Sequence, residues 1–342
     1  MHFLIFFLQK SSLTKNYFLT GDINLTTRVP LYTCLVIFSG KAYRLYPQEE
    51  FESLQSFTCP EMQRSNLAPV ILHLKALGID NVVRFSFFSR PPSKCLMQAY
   101  EVLYALGALD DNGDLTSPLG QRMSEYPLDP MLSKMLLSSE QFECSNEIVT
   151  IAAMLQVENV FVQPSNKKKA MQLAKQKFST VEGDHLTFLN VYNAFIRYKK
   201  DKRWCHENFL NYQTLCRVEK IRQQIIHLLK KHNIPLTSSD DDENIRKCIV
   251  SGFFANAAYY HPSGEYRTIR YNYPLHIHPT SVLVTEVPPK YVVFHQVLCT
   301  SRDFMRDITA IDGSWLTELA PHFYDFGTDR EIAAKRARVD DL

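Results

Sequence analysis

Two short stretches near the C-terminal end carry the side chains best suited to gripping a polyanion. Thr300, Ser301, Arg302 and Arg306 fall in TSRDFMR, and His278, Thr280 and Ser281 fall in IHPTS. Hydroxyls and backbone N–H groups hydrogen-bond phosphate oxygens, and arginine neutralises their charge. Such a mixture at strand ends suits a nucleic-acid backbone whatever its base sequence. A structural reading stands beside it: Arg306 can pair with Asp303 or Asp307, and the hydroxyls can cap turns. Glu182-Gly183-Asp184-His185 is a third candidate, because it opens a helical stretch. The free amides and partial positive charge of a helix N-terminus would draw a phosphate towards Asp184 and His185. The alternative there is plain capping by Asp184.

Other chemistry-bearing residues have blander readings. Lys167, Lys168, Lys169, Lys175 and Lys177 make a basic helix face, which is read as solvated. Trp204, Phe209 and Tyr212 could stack on bases, but their helical spacing reads as core. His276 and His278 share one strand face and could hold half a metal site. No Cys or carboxylate stands at ligand spacing nearby, so packed or turn-bonded histidines are expected and no metal is assigned. No residue is assigned a catalytic role.

The elements that would position these groups follow from periodicity. GKAYRLYPQEEFESL reads as a strand and a short helix. Leu67, Ile71, Leu74 and Leu77 recur at helical spacing, stopped by Gly78, and CLMQAYEVLYALGAL is a second amphipathic helix closed by Gly107. With the Asn-Gly turn in DDNGDLT, the order helix, helix, turn, short strand is that of a winged helix. From Ser145 to His232 the text is helical, with Leu215, Val218, Ile221, Ile225 and Leu228 on one face. After the acidic break SSDDDE, runs beginning with SGFFANAA and ending with WLTELAPHFY read as β-rich pieces of a small barrel. The expected fold is therefore α+β and multidomain. Its expected parts are an unmatched leader (1–39), a strand and helix (40–59), a winged helix (60–130), a helical bundle (131–237), a β-barrel (238–326) and a polar tail (327–342).

Composition narrows the class. The 342 residues carry a net charge of only +2, so nucleic-acid affinity must come from local patches and not from bulk charge. Eight cysteines without CxxC pairing or regular spacing suit reduced thiols in a nuclear or cytosolic compartment. MHFLIFFL is apolar but far shorter than the roughly 20 residues of a membrane span, so no membrane association is expected.

The phrases GKAYRLY, PEMQRSNLAPVILHLKALGID, LTSPLG, YPLDPMLSKML, EGDHLTFLNVYNAF, WCHENFLN, SGFFANAA, LHIHPTSVL and FMRDITAI occur in order. As a set they resemble the DEAH-box ATP-dependent RNA helicases, from about Gly40 to Ala337. The resemblance implies that 40–59 is the end of the second RecA-like motor domain, followed by winged helix, ratchet-like helicase-associated bundle and OB-fold. It implies single-stranded RNA as ligand, with TSRDFMR and IHPTS facing it. It also implies glycine-rich G-patch activators or spliceosomal proteins as partners, and a nuclear role in pre-mRNA splicing. ATP and magnesium serve the full-length family. This sequence has no GxxxxGK[ST] loop, no Asp-Glu-Ala-His tetrad and no arginine pair before Gly40, so no cofactor is expected in this chain. The competing expectation is a non-enzymatic module that docks protein partners. KRAR, at 335–338, is a candidate nuclear-import patch.

Overall fold

The computed structural model describes residues 6–8, 41–43, 47–53, 60–162, 164, 166–300 and 302–324. The tail, the KRAR patch and Ser301 lie outside the described residues, as does most of the leader. The chain forms two compact units, Met1–Asn66 with Ser86–Cys95, and Leu67–Phe85 with Leu96–Leu342. In the first, β1 (Phe6–Leu8) pairs antiparallel with β2 (Lys41–Tyr43), with Phe6 opposite Tyr43. The apolar leader thus contributes a strand. The short helix α1 (Gln48–Ser53) follows Pro47, a residue suited to a helix start.

The second unit begins with α2 (Ala68–Ala76), and α3 (Ser93–Ala105) packs its buried Leu96, Ala99 and Leu103 there. Gly78, at φ 83°, ends α2: its N–H bonds the Lys75 carbonyl and the Ile79 N–H bonds that of Leu74. That pair of bonds is the Schellman closure, which needs a left-handed residue. The DDNGD turn closes a bridge between Leu109 and Leu115, and Asp110 Oδ1 accepts from the N–H groups of Asn112 and Asp114. Buried Lys75 ties α2 to this turn through Asp114, 3.1 Å away, and the Asp80 carbonyl. α4 (Leu119–Glu125) leads to α5 (Pro130–Ser138), which Asp129 caps by accepting from Met131 N–H.

The bundle comprises α6 (Ser145–Leu155), α7 (Lys168–Gln176), α8 (Asp184–Arg197), α9 (Lys202–Glu207) and α10 (Tyr212–Lys231). α6 is buried along almost its whole length: Ile148, Val149, Ile151 and Met154 join the core, and the buried Glu147 accepts from Ser238 Oγ and Ser239 N–H. On α10 the buried residues are Leu215, Val218, Ile225 and Leu229. Leu229, not Leu228, completes the stripe, because the 3–4 alternation from Val218 runs through 222 and 225 to 229.

SGFFANAA differs from its expected strand. α11 (Asp242–Phe253) runs into it, and a short 3-10 turn (Phe254–Asn256) follows. Ile245, Cys248, Ile249 and Phe253 recur at helical spacing and are buried, with α11 packed on α5. WLTEL is likewise helical, as α12 (Ser314–Leu319). Between them β3 (Ala257–Tyr260), β4 (Tyr266–Thr268), β5 (Pro274–Ile277), β6 (Tyr291–Cys299) and β7 (Asp303–Ile311) close a barrel in the order β3-β4-β5-β7-β6. β5 and β7 run parallel, and the other pairs antiparallel. Closure leaves no sheet edge, and Tyr266, Leu275, Phe294, Met305 and Ile308 fill the interior. Among the described residues no helix is long and apolar enough to cross a membrane.

Candidate nucleic-acid interface

The start of α8 is built into the barrel. Gly183 is its N-cap at φ 124°, and a Cβ there would lie 2.2 Å from the Ile308 carbonyl oxygen. Only glycine lets this backbone approach β7 so closely. Gly183 bridges Thr309, and Ala310 N–H donates to the Glu182 carbonyl at 2.8 Å. Asp184 is the first helical residue and does not cap. Its carboxylate accepts from Ser281 Oγ at 2.6 Å, Val282 N–H at 2.9 Å and Ile308 N–H at 2.9 Å. It therefore ties α8 to both β7 and the turn after β5. His185 beside it is fully buried, with Nδ1 2.6 Å from Thr309 Oγ1. Burial pushes its imidazole down to about 3, so the ring is neutral near pH 7.

Three of the expected site residues face inward. Asp184, His185 and Ser281 are 4%, 0% and 8% exposed; Asp184 and Ser281 bond each other, and His185 bonds Thr309 through Nδ1 while its Nε2 is buried without a partner among the described residues. The helix end they were to open towards phosphate is covered by β7. Their role in this fold is to hold the rim that surrounds them.

The rim itself is accessible. Arg302 and Thr300 are exposed at the β6–β7 turn, where the Arg302 carbonyl accepts from both the N–H and hydroxyl of Thr300. Thr280 is exposed after β5, with its Oγ1 2.6 Å from His278 Nδ1. Both hydroxyls thus shape turns while facing solvent. Arg306 is half-buried, with Nε 3.7 Å from Asp307 Oδ2, whereas Asp303 instead accepts from Tyr273. Burial lowers the His278 pKa, and the nearby Arg306 guanidinium adds to the shift. His276 and His278 flank the Phe304 ring, at 6.0 and 5.8 Å between centroids. No group of three metal-ligating side chains exists among the described residues.

Lys175 lies outside the site residues expected from sequence, and Asp307 enters there only as a possible partner of Arg306. Lys175 of α7 was read as part of a solvated face. It reaches across to donate to the Thr280 carbonyl and lies 5.2 Å from the Phe161 ring centre. Burial lowers its pKa, and Asp184 and Asp307 oppose that shift. Asp307 sits in β7 at φ 54° with its side chain 12% exposed. Burial and then the Asp184 charge push its carboxyl up to about 7, against the pull of Arg306 and Lys175. A left-handed Asp in strand text gives no local signal. The rim thus combines Arg302, Arg306 and Lys175 with two carboxyls: Asp303, whose pKa is lowered by the hydrogen bond from Tyr273, and Asp307, which is partly neutral near pH 7.

Of the aromatic trio, Trp204 stacks on Tyr198 at 4.8 Å and Tyr212 meets Phe195 edge-on at 6.2 Å. Phe209 takes a left-handed backbone between α9 and α10. The described cysteines Cys95, Cys144, Cys205, Cys216, Cys248 and Cys299 are thiols.

Comparison with known proteins gives three family matches along the chain. Residues 99–128 match the winged-helix helicase-associated domain (HA2), and 129–188 match the ratchet-like helicase-associated domain (HA2). Residues 245–324 match an oligonucleotide/oligosaccharide-binding (OB) fold. Among curated proteins, the "Probable ATP-dependent RNA helicase DHX35" of Homo sapiens is 56% identical over 304 residues, which is 89% of this chain and 43% of that protein. The Pongo abelii protein of the same name is 57% identical, over 85% of this chain and 40% of its own. The Caenorhabditis elegans "Probable ATP-dependent RNA helicase DHX35 homolog" is 46% identical, over 87% of this chain and 41% of its own. The chain therefore spans about two fifths of the length of these relatives.

Proposed function

Because the chain belongs to the C-terminal, helicase-associated region of the DEAH-box RNA helicases, we propose that its bundle and barrel form an RNA-backbone platform. The observation that carries this reading is the rim formed by exposed Arg302, Thr300 and Thr280 with half-buried Arg306 and His278, braced from behind by Asp184 and Lys175. Cations and hydroxyls at strand ends grip phosphates without reading bases. The reading extends to a nuclear role in pre-mRNA splicing, which rests on the family resemblance alone.

Single-stranded RNA titrated at two or more salt concentrations tests the platform. Arg306→Ala should remove about one phosphate contact and flatten the dependence of log affinity on log salt by about 0.7. The loss should be similar for RNAs of different sequence. A kept slope with a lowered melting temperature would make Arg306 a structural partner of Asp307 and remove it from the interface. A second measurement concerns ATP. The 342-residue chain should show no RNA-stimulated hydrolysis, since its sequence holds no phosphate loop or magnesium-binding tetrad. Turnover by the purified chain that survives a mock-purification control would overturn that expectation.

A second reading, the docking of a protein partner such as a G-patch activator, is favoured by the face of α3. Met97 and Tyr104 are 66% and 53% exposed there, beside a cleft of about 380 Å³ lined by Tyr100, Leu109 and Gly113. Exposed Met and Tyr on one face are typical of partner surfaces. Absence of RNA binding together with partner capture lost on Met97→Glu would favour this reading.

A further inference from the structure

We propose that the corner between α8 and α9 is a second single-stranded RNA site, which stacks one base on Tyr198 and holds its phosphates with Arg197 and the neighbouring cations. The proposal does not rest on the barrel rim. The segment RYKKDKRW, residues 197–204, carries five cations and one carboxylate, in a chain whose net charge is only +2. Its carboxylate is already engaged, because Asp201 accepts from the N–H groups of Arg203 and Trp204 to cap α9. Lys200 pairs with Glu219. Arg197, Lys199, Lys202 and Arg203 are exposed and hold no ion pair among the described residues. Lys199 and Lys200 both take left-handed backbone, at φ 52° and 58°, so the chain folds tightly and concentrates this charge at one corner.

A basic loop alone would be a solvated surface. Here it borders a cleft of about 480 Å³, a size that suits a small ligand. Three asparagines, Asn190, Asn193 and Asn208, line it together with Lys177 and Arg197. Asn208 is held by Lys177 and the Trp204 carbonyl, and the Asn190 NH₂ donates to the Phe178 carbonyl, so exposed Asn193 and the Asn190 oxygen are the amide groups that face a base edge. Tyr198 is 53% exposed, and Trp204 backs it in a near-parallel stack with 15° between the rings. Trp204 is itself set by Phe178, edge-on at 6.0 Å. One face of the tyrosine is therefore fixed, and its exposure leaves ring surface for a base. Base stacking on a held aromatic ring beside cations is the means by which single strands are bound without sequence preference. An acidic peptide would satisfy the charge but not the flat ring and the amides.

Two measurements test the site on the whole chain. Trp204 and Trp315 are the only tryptophans, and Trp315 is 8% exposed. In a Trp315→Phe background, a short oligouridylate should quench Trp204 fluorescence, while a polyglutamate of equal charge should not. Tyr198→Ala should weaken binding by about fivefold to a hundredfold, the range for losing one stacked base. Arg197→Ala should flatten the salt slope by about 0.7. Photocrosslinking of the unmutated chain with thiouridine-substituted RNA gives the second readout. Crosslinks within residues 177–208 are expected. Crosslinks confined to 274–306 would overturn this site and leave the barrel platform standing, and crosslinks confined to 177–208 would do the reverse. Equal quenching by polyglutamate, or full affinity in Tyr198→Ala, would reduce the corner to an unspecific charged patch.

Discussion

Asp184→Ala should free the start of α8 from the barrel and cost about 2–6 kcal/mol, since two backbone N–H donors lose their acceptor inside the protein at about 1–3 kcal/mol each. The carboxylate serves three donors from two separate segments: Ser281 Oγ and Val282 N–H after β5, and Ile308 N–H in β7. Each donor left unpaired inside the protein costs about 1–3 kcal/mol, and only the serine hydroxyl can turn elsewhere. Asp184→Asn should be milder but not neutral. The two carboxylate oxygens are both acceptors here, so an amide must aim its NH₂ at an N–H or hydroxyl donor whichever way it is flipped. Urea unfolding gives the total loss. Hydrogen exchange gives the local one, because the Val282 and Ile308 amides should lose protection before the barrel interior does. Unchanged exchange at both amides would show that Asp184 does not hold this junction. If the rim is the RNA platform, Asp184→Ala should also weaken RNA binding, although its own carboxylate is buried and negative.

This junction also shows where reading the sequence stops. Asp184 was legible as a helix-start residue from its neighbours alone. Its actual partners lie 97, 98 and 124 positions away, and no local pattern encodes them. His185 is similar, since its buried hydrogen bond is to Thr309, 124 positions on. What periodicity carries was legible. The β-branched and aromatic run of β6, the stops at Gly78 and Gly107 and the apolar stripe of α10 all appear as elements, because each rests on contacts or conformations repeated along the chain. SGFFANAA was misread because short apolar text does not separate a strand from a buried helix end. There the preceding Ile245 and Cys248 set the helical phase. At the rim, the arginines and threonines were legible by type. Lys175 was not, since a lysine in a basic helix carries no mark of the one turn that points it at another domain's loop.

Asp307→Asn should stabilise the protein at pH 8 by about 2–4 kcal/mol and leave it nearly unchanged at pH 4. In the folded chain the Asp307 carboxyl is pushed up to about 7, by burial first and the Asp184 charge second. In the unfolded chain it should titrate near the ordinary value of about 3.9. Between those two values the folded state holds a proton that the unfolded state lacks. Stability then falls as pH rises, by about 1.4 kcal/mol per unit for one proton, and the loss is complete above pH 7. Asparagine removes that loss, and it tolerates the φ of 54° at this position better than most residues. His185 and His295 act in the opposite sense. Burial pushes them down to about 3 and 4, so they cost stability as pH falls below about 6.5. Both are present in mutant and parent, so the difference between the two stability curves isolates Asp307. A difference that does not vary with pH would show that Asp307 is an ordinary carboxylate. The same substitution removes the carboxylate 3.7 Å from Arg306. With the platform reading, RNA affinity should therefore rise at pH 8, where Asp307 is ionised, and much less at pH 6, where it already holds its proton.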